Sequence, residues 1–91
     1  MKRLSPVGES IRYSILEYLY SKGWAAVEEV ERIAREAVKR AGVLYDYTVW
    51  PALLEGEAVI YGDVVAITDE GRRVFEYTRR TVKEYLQRWG L

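Results

Sequence analysis

The chain has 91 residues, 49% hydrophobic and 31% charged, with 14 Lys plus Arg balanced by 14 Asp plus Glu. That is the size of one small domain, with enough apolar side chains to build a core rather than stay disordered. Cys and His are both absent, which excludes a structural zinc site, a disulfide framework, a thiol nucleophile and a His general base. No apolar run approaches the roughly 18 residues that span a bilayer, and Lys2 and Arg3 are followed by polar Ser5, Gly8, Glu9 and Ser10. The expectation is a cytoplasmic protein with neither a membrane span nor a signal peptide. Asn does not occur, Gln87 is the only side-chain amide and Met1 the only methionine, a depletion of thermolabile residues that points to a thermophile.

Ser5 before Pro6 reads as a helix start, because a hydroxyl accepts an orphan backbone N–H and proline loses nothing at the first helical position. Ile11, Ile15, Leu16, Tyr18 and Leu19 then recur at helical spacing until Gly23, a left-handed cap. After Trp24, an apolar stripe of Val27, Val30, Ile33, Ala34, Ala37, Val38 and Ala41 predicts a second helix ending at Gly42. Its other face carries Glu28 to Arg32, Glu31 to Arg35 and Glu36 to Arg40 at i to i+4 spacing, so these charges read first as a solvated, mutually paired face.

Between Val43 and Trp50 the pattern fits two elements. Val43, Tyr45, Tyr47 and Val49 alternate like a strand, whereas Tyr45, Val49 and Leu53 fit one side of a helix. A short third helix, kinked or restarted at Pro51, is the reading favoured. Ala58–Tyr61 and Val64–Ile67 flank Gly62-Asp63 and predict a two-residue hairpin. Thr68 then caps a final helix over 69–89, with Asp69 and Glu70 in its first turn. One face of that helix carries Phe75, Thr78, Val82, Leu86 and Trp89, and an adjacent one Val74, Tyr77, Thr81 and Tyr85. At 1.5 Å per residue it runs about 30 Å, longer than so small a core needs. Phe75, Thr78, Val82, Tyr85, Leu86 and Trp89 are therefore the candidate interface of a homodimer.

Helix, helix, short helix, hairpin, long helix is an order that resembles a winged helix-turn-helix domain, here one domain over 1–91. Gly42-Val43-Leu44-Tyr45 resembles the opening of the third helix in PadR-like regulators. Leu53-Leu54-Glu55-Gly56-Glu57-Ala58-Val59 resembles their passage from that helix into the wing, and Ala66-Ile67-Thr68-Asp69-Glu70-Gly71-Arg72 their exit from the second wing strand. Pro51 and a stretched Tyr45-to-Leu53 interval depart from that pattern. The resemblance implies a mainly α fold with a β-hairpin wing, a small archaeal or viral transcription regulator, double-stranded DNA as partner, and dimers joined through the terminal helix. In physical terms, Gly56 lets the chain turn into the hairpin and Gly71 leaves room where the last helix packs closely.

Charge complicates the reading of DNA. Residues 41 to 71 contain no Lys or Arg against Asp46, Glu55, Glu57, Asp63, Asp69 and Glu70, a net of −6, whereas a groove-reading helix and wing ordinarily meet phosphates with cations. Candidate phosphate contacts are left to Arg32, Arg35, Lys39 and Arg40 on helix two and to Arg72, Arg73, Arg79 and Arg80 on the last helix, with Tyr45, Tyr47 and Trp50 as candidate base or sugar contacts. A second hypothesis uses the acidic, aromatic helix-three and wing surface, including Tyr61, to dock a protein partner with a basic surface. No catalytic constellation, metal site or phosphate-cradling loop is found, and Ser5, Ser10, Ser14 and Ser21 lack a His partner. Neither an enzyme nor a cofactor is expected.

Overall fold

A computed structural model describes residues 4–91; Met1, Lys2 and Arg3 lie outside the described residues. The chain runs α1 (Pro6–Lys22), β1 (Trp24–Ala26), α2 (Val27–Ala41), a 3-10 turn (Tyr47–Val49), α3 (Trp50–Leu53), β2 (Ala58–Tyr61), β3 (Val64–Ile67) and α4 (Asp69–Arg88). It is mainly helical, with one small antiparallel sheet ordered β1-β3-β2.

The helix ends follow the local chemistry. Ser5 Oγ accepts from the Gly8 amide at 3.1 Å with Pro6 in the first turn, and Gly23 closes α1 at φ 88°. Gly42 ends α2 in the left-handed region. Thr68 Oγ1 accepts from the Gly71 amide at 2.9 Å while its own hydroxyl donates to the Gly56 carbonyl at 2.8 Å. One residue thus caps α4 and ties it back to the loop before the hairpin. In the hairpin Tyr61 pairs with Val64, and Gly62 takes φ 62° as the first turn residue, the place where a primed turn needs glycine.

Two features differ from the sequence expectation. Trp24–Ala26 is a strand, pairing Trp24 with Ala66, Ala25 with Val65 and Ala26 with Val64. Three residues are too short to show a period, so only the waiting edge of β3 makes them a strand. The ambiguous Val43–Trp50 segment is neither a strand nor a continuous helix: it runs irregularly to Asp46, whose carboxylate accepts from the Thr48 amide at 3.0 Å, and makes one 3-10 turn. The helix starts only at Trp50 and puts Pro51 in its first turn, where a missing N–H costs nothing.

The core joins Ile11, Ile15, Leu16 and Leu19 of α1 to Val30, Ala34 and Ala37 of α2, and takes in Ala25, Trp50, Leu54, Val65 and Phe75. α1 is the central element, packing against α2 on one side and α4 on the other. Since Ala25 and Val65 point inward, alternation turns Trp24, Ala26, Val59, Tyr61, Val64 and Ala66 to the outer face of the sheet, which is apolar throughout. One ionic cluster sits at the start of α1. Arg12 holds Glu57 with two parallel bonds of 2.8 and 2.7 Å and Glu9 with one of 2.6 Å. All three side chains are mostly buried. Burial by itself lowers the Arg12 pKa, but the two carboxylates together outweigh it and hold it above its ordinary value.

Candidate nucleic-acid interface

On α2 the polar face is exposed, but the expected i to i+4 pairs do not close. Among the described residues, Arg32, Arg35, Lys39 and Arg40 have no carboxylate oxygen within 4.0 Å. The acids are used elsewhere, or not at all. Tyr18 donates to Glu29, and Lys22 lies 3.9 Å from the same carboxylate. The Tyr18 hydroxyl, more than Lys22, holds the Glu29 carboxyl below its ordinary range. The helical period fans the four cations across the outer side of the helix. Arg35 leans toward the 3-10 turn, its guanidinium 5.5 Å from the centre of the Tyr47 ring. Arg40 leans the opposite way and donates to Ser14 Oγ at 3.3 Å, while Arg32 and Lys39, seven residues apart, stand between them. Helix two therefore presents four cations without a close carboxylate, interleaved with exposed Glu28 and Glu36, beside the 3-10 turn.

The candidate aromatics are placed less openly. Trp50 is 3% exposed and fills the interior, so its indole is not available to a base. Tyr45 and Tyr47 are half-buried against the core. What does face solvent here is Val43, Leu44, Asp46, Thr48 and Val49, with Ile60 and Tyr61 on the hairpin, and no cation among them. Periodicity did not reveal Leu44, wholly exposed, because the segment has no regular period.

Along α4 the four candidate arginines separate into two sets. Arg72 lies 5.8 Å from the Tyr20 ring centre, and Arg79 is close enough to Tyr13 and Tyr20 to favour their ionised forms. Both flank α1, where Tyr20 donates to Glu76 and Tyr13 to Glu17. That bond to Glu76 is the main cause raising the Tyr20 pKa, whereas burial leads for Tyr13. Arg73 and Arg80 point outward with Tyr77, which is 90% exposed; Arg80 meets Glu84 at 3.5 Å. Tyr77 is predicted by its spacing from Val74 and Thr81 to lie on an apolar face, which the structure does not bear out. Its arginine neighbours at i−4 and i+3 are the signal of a solvent position.

The candidate dimer residues divide as well. Phe75 and Leu86 are each 5% exposed and used inside the chain, Phe75 stacking on Tyr13 and Tyr20 with ring centres 5.6 and 5.0 Å away. Thr78, Val82 and Tyr85 line a groove of about 710 Å³ between α4, α3 and the start of α1, together with Leu4, Leu53 and Val74. Trp89 is exposed beyond α4. Among the described residues no cluster of carboxylates could hold a metal ion, and no helix is long and apolar enough to cross a membrane. No family model, curated protein or solved structure matches this chain.

Proposed function

We propose that the chain is a winged-helix domain that binds double-stranded DNA as a small transcription regulator, gripping the phosphates from α2. The order α1-β1-α2-α3-β2-β3-α4 with a β1-β3-β2 sheet supports it. In such domains the helix before the groove-facing one crosses the DNA backbone. The observation that carries the reading is the set Arg32, Arg35, Lys39 and Arg40, unpaired with any described carboxylate, on the helix that packs against the 3-10 turn leading into α3. Because α3 and the hairpin bring no cation, affinity comes from phosphate contacts and discrimination between sequences is weak. Two copies pair over the groove along α4 through Thr78, Val82, Tyr85 and Trp89, since Phe75 and Leu86 are already spent within each chain.

A shift assay on random duplex DNA tests the reading. Four phosphate contacts give a slope of log affinity against log salt of about −3.6. Arg35→Glu with Lys39→Glu weakens binding to every sequence and flattens that slope, whereas Asp63→Lys at the hairpin turn strengthens it. Absence of retention at low salt ends the DNA reading. A second reading then takes its place, favoured by exposed Val43, Leu44, Val49 and Ile60 beside Asp46 and Asp63: an apolar, acidic surface that docks a protein with a basic face.

A further inference from the structure

We infer that the outward face of α4 is self-complementary in charge and pairs antiparallel with the same face of a second copy, at an interface separate from the groove. The inference goes beyond the DNA reading and does not rest on it. The buried side of α4 is fixed by Gly71, Phe75 and Leu86. The helical period puts Asp69, Arg73, Tyr77, Arg80, Glu84 and Arg88 together on the opposite side, with Glu70 and Gln87 beside them. All of these are exposed, Tyr77 by 90%. Three guanidinium groups meet three carboxylates, so the stripe has no net charge with which to hold a polyanion. Among the described residues, Arg80 and Glu84 make the one ion pair of the stripe, at 3.5 Å, and the Arg80 side chain stays 92% exposed; Asp69, Glu70, Arg73 and Arg88 make none.

The order of the charges is what fits a second copy. Acids open the stripe and a base closes it. When two copies lie antiparallel about a twofold axis midway between Thr78 and Arg79, residues equally far from that axis stand opposite each other. Asp69 then meets Arg88 of the second copy, Glu70 meets Gln87, Arg73 meets Glu84 and Tyr77 meets Arg80, and symmetry repeats every pair. No like charges are opposed, and each Arg80 guanidinium has a tyrosine ring to stack on. Parallel pairing would instead set each residue against itself, Arg on Arg and acid on acid. Antiparallel packing also brings each helix N-terminus beside the other's C-terminus, which suits both dipoles. The stripe from Asp69 to Arg88 runs about 28 Å at 1.5 Å per residue. With tyrosine as its one large apolar body, the interface belongs to the weak, polar class. Its strength is Coulombic and is screened by salt. The apolar groove lined by Thr78, Val82 and Tyr85 lies on a different side of the helix, so occupying one surface does not block the other.

The test is sedimentation equilibrium of the full chain, free of DNA, at about 1 mM protein, compared between low salt and about 1 M salt, where the Debye length is about 3 Å. The weight-average mass of the wild type is expected to be at least about 1.5-fold higher at low salt, whatever assembly the groove sustains at high salt. Arg73→Glu sets two carboxylates against each other and should remove that increase. Arg73→Glu with Glu84→Arg restores the match in reverse and should recover it, which a merely structural role would not predict. Both variants change exposed side chains only, and circular dichroism should show them folded. A wild type whose mass does not rise at low salt overturns the inference. So does a rise that survives Arg73→Glu, since the copies then meet through another surface, and so does a charge swap that fails to recover it.

Discussion

Gly71→Ala separates local preference from tertiary constraint. On helix propensity alone, alanine inside α4 is better than glycine by about 0.8–1 kcal/mol, so an isolated helix would be stabilised. In the folded chain the added methyl would lie inside the contact distance of the Glu57 carbonyl oxygen and 2.9 Å from Ile67 Cγ1. That carbonyl accepts from the Thr68 amide at 3.0 Å, and Glu57 is fastened to Arg12, so the backbone on that side has little freedom to retreat. Overpacking of this kind costs about 1–3 kcal/mol and more where backbone must move. Because the clash is with backbone the upper end applies, and subtracting the propensity gain leaves a net loss of about 2 kcal/mol. For a domain of this size each kcal/mol is worth about 4–8 °C, so thermal unfolding followed by circular dichroism should show Tm lower by about 8–16 °C. Gly42→Ala is the control: its φ is 69° and nothing lies within 4 Å of the new methyl. It should lose only the roughly 1–2 kcal/mol of left-handed strain. A Gly71→Ala protein as stable as the wild type, or more so, would refute the close approach of α4 to the loop before β2.

Removing the α4 cap with Thr68→Ala should cost about 1–2 kcal/mol in urea unfolding, and Thr68→Ser should recover most of it. Arg12→Met strands Glu9 and Glu57 in a mostly buried site and should cost about 3–5 kcal/mol in urea unfolding at pH 7. The tyrosines of α1 set the alkaline limit. Tyr20, through its bond to Glu76, and Tyr13, through burial, are both held above the ordinary value of 10.0. Their contribution is complete below pH 10 and lost as pH rises through the folded values. Melting temperature should fall above about pH 10, and a Tyr13→Phe, Tyr20→Phe variant should fall less. Trp50→Ala should destabilise by about 3–5 kcal/mol by emptying a core site, whereas Trp89→Ala, at an exposed position, should leave denaturant stability nearly unchanged.

Both ends of α1, the end of α2, the start of α4 and the whole β2–β3 hairpin were legible in the sequence, because each rests on chemistry within a few residues. Ser5 and Thr68 satisfy the amides three positions on, Gly23 and Gly42 adopt a conformation other residues resist, and Gly62 makes the turn that pairs the flanking strands. The absence of cations from 41 to 71 was equally plain, since net charge does not depend on folding. Local chemistry did not reach β1, whose three residues become a strand only when Gly23 turns them alongside β3. Nor did it decide Trp50 against Tyr77: both are aromatic residues at plausible helical positions, and only the packing of α3 onto α1 buries one while α4 leaves the other in water. The arginines make the same point. Arg72 and Arg73 are adjacent in the chain, but a step of 100° along α4 sends one to the tyrosines of α1 and the other to solvent. Where α1 stands relative to α2 and α4 is a tertiary fact, and it alone decides which side of each of those helices meets solvent.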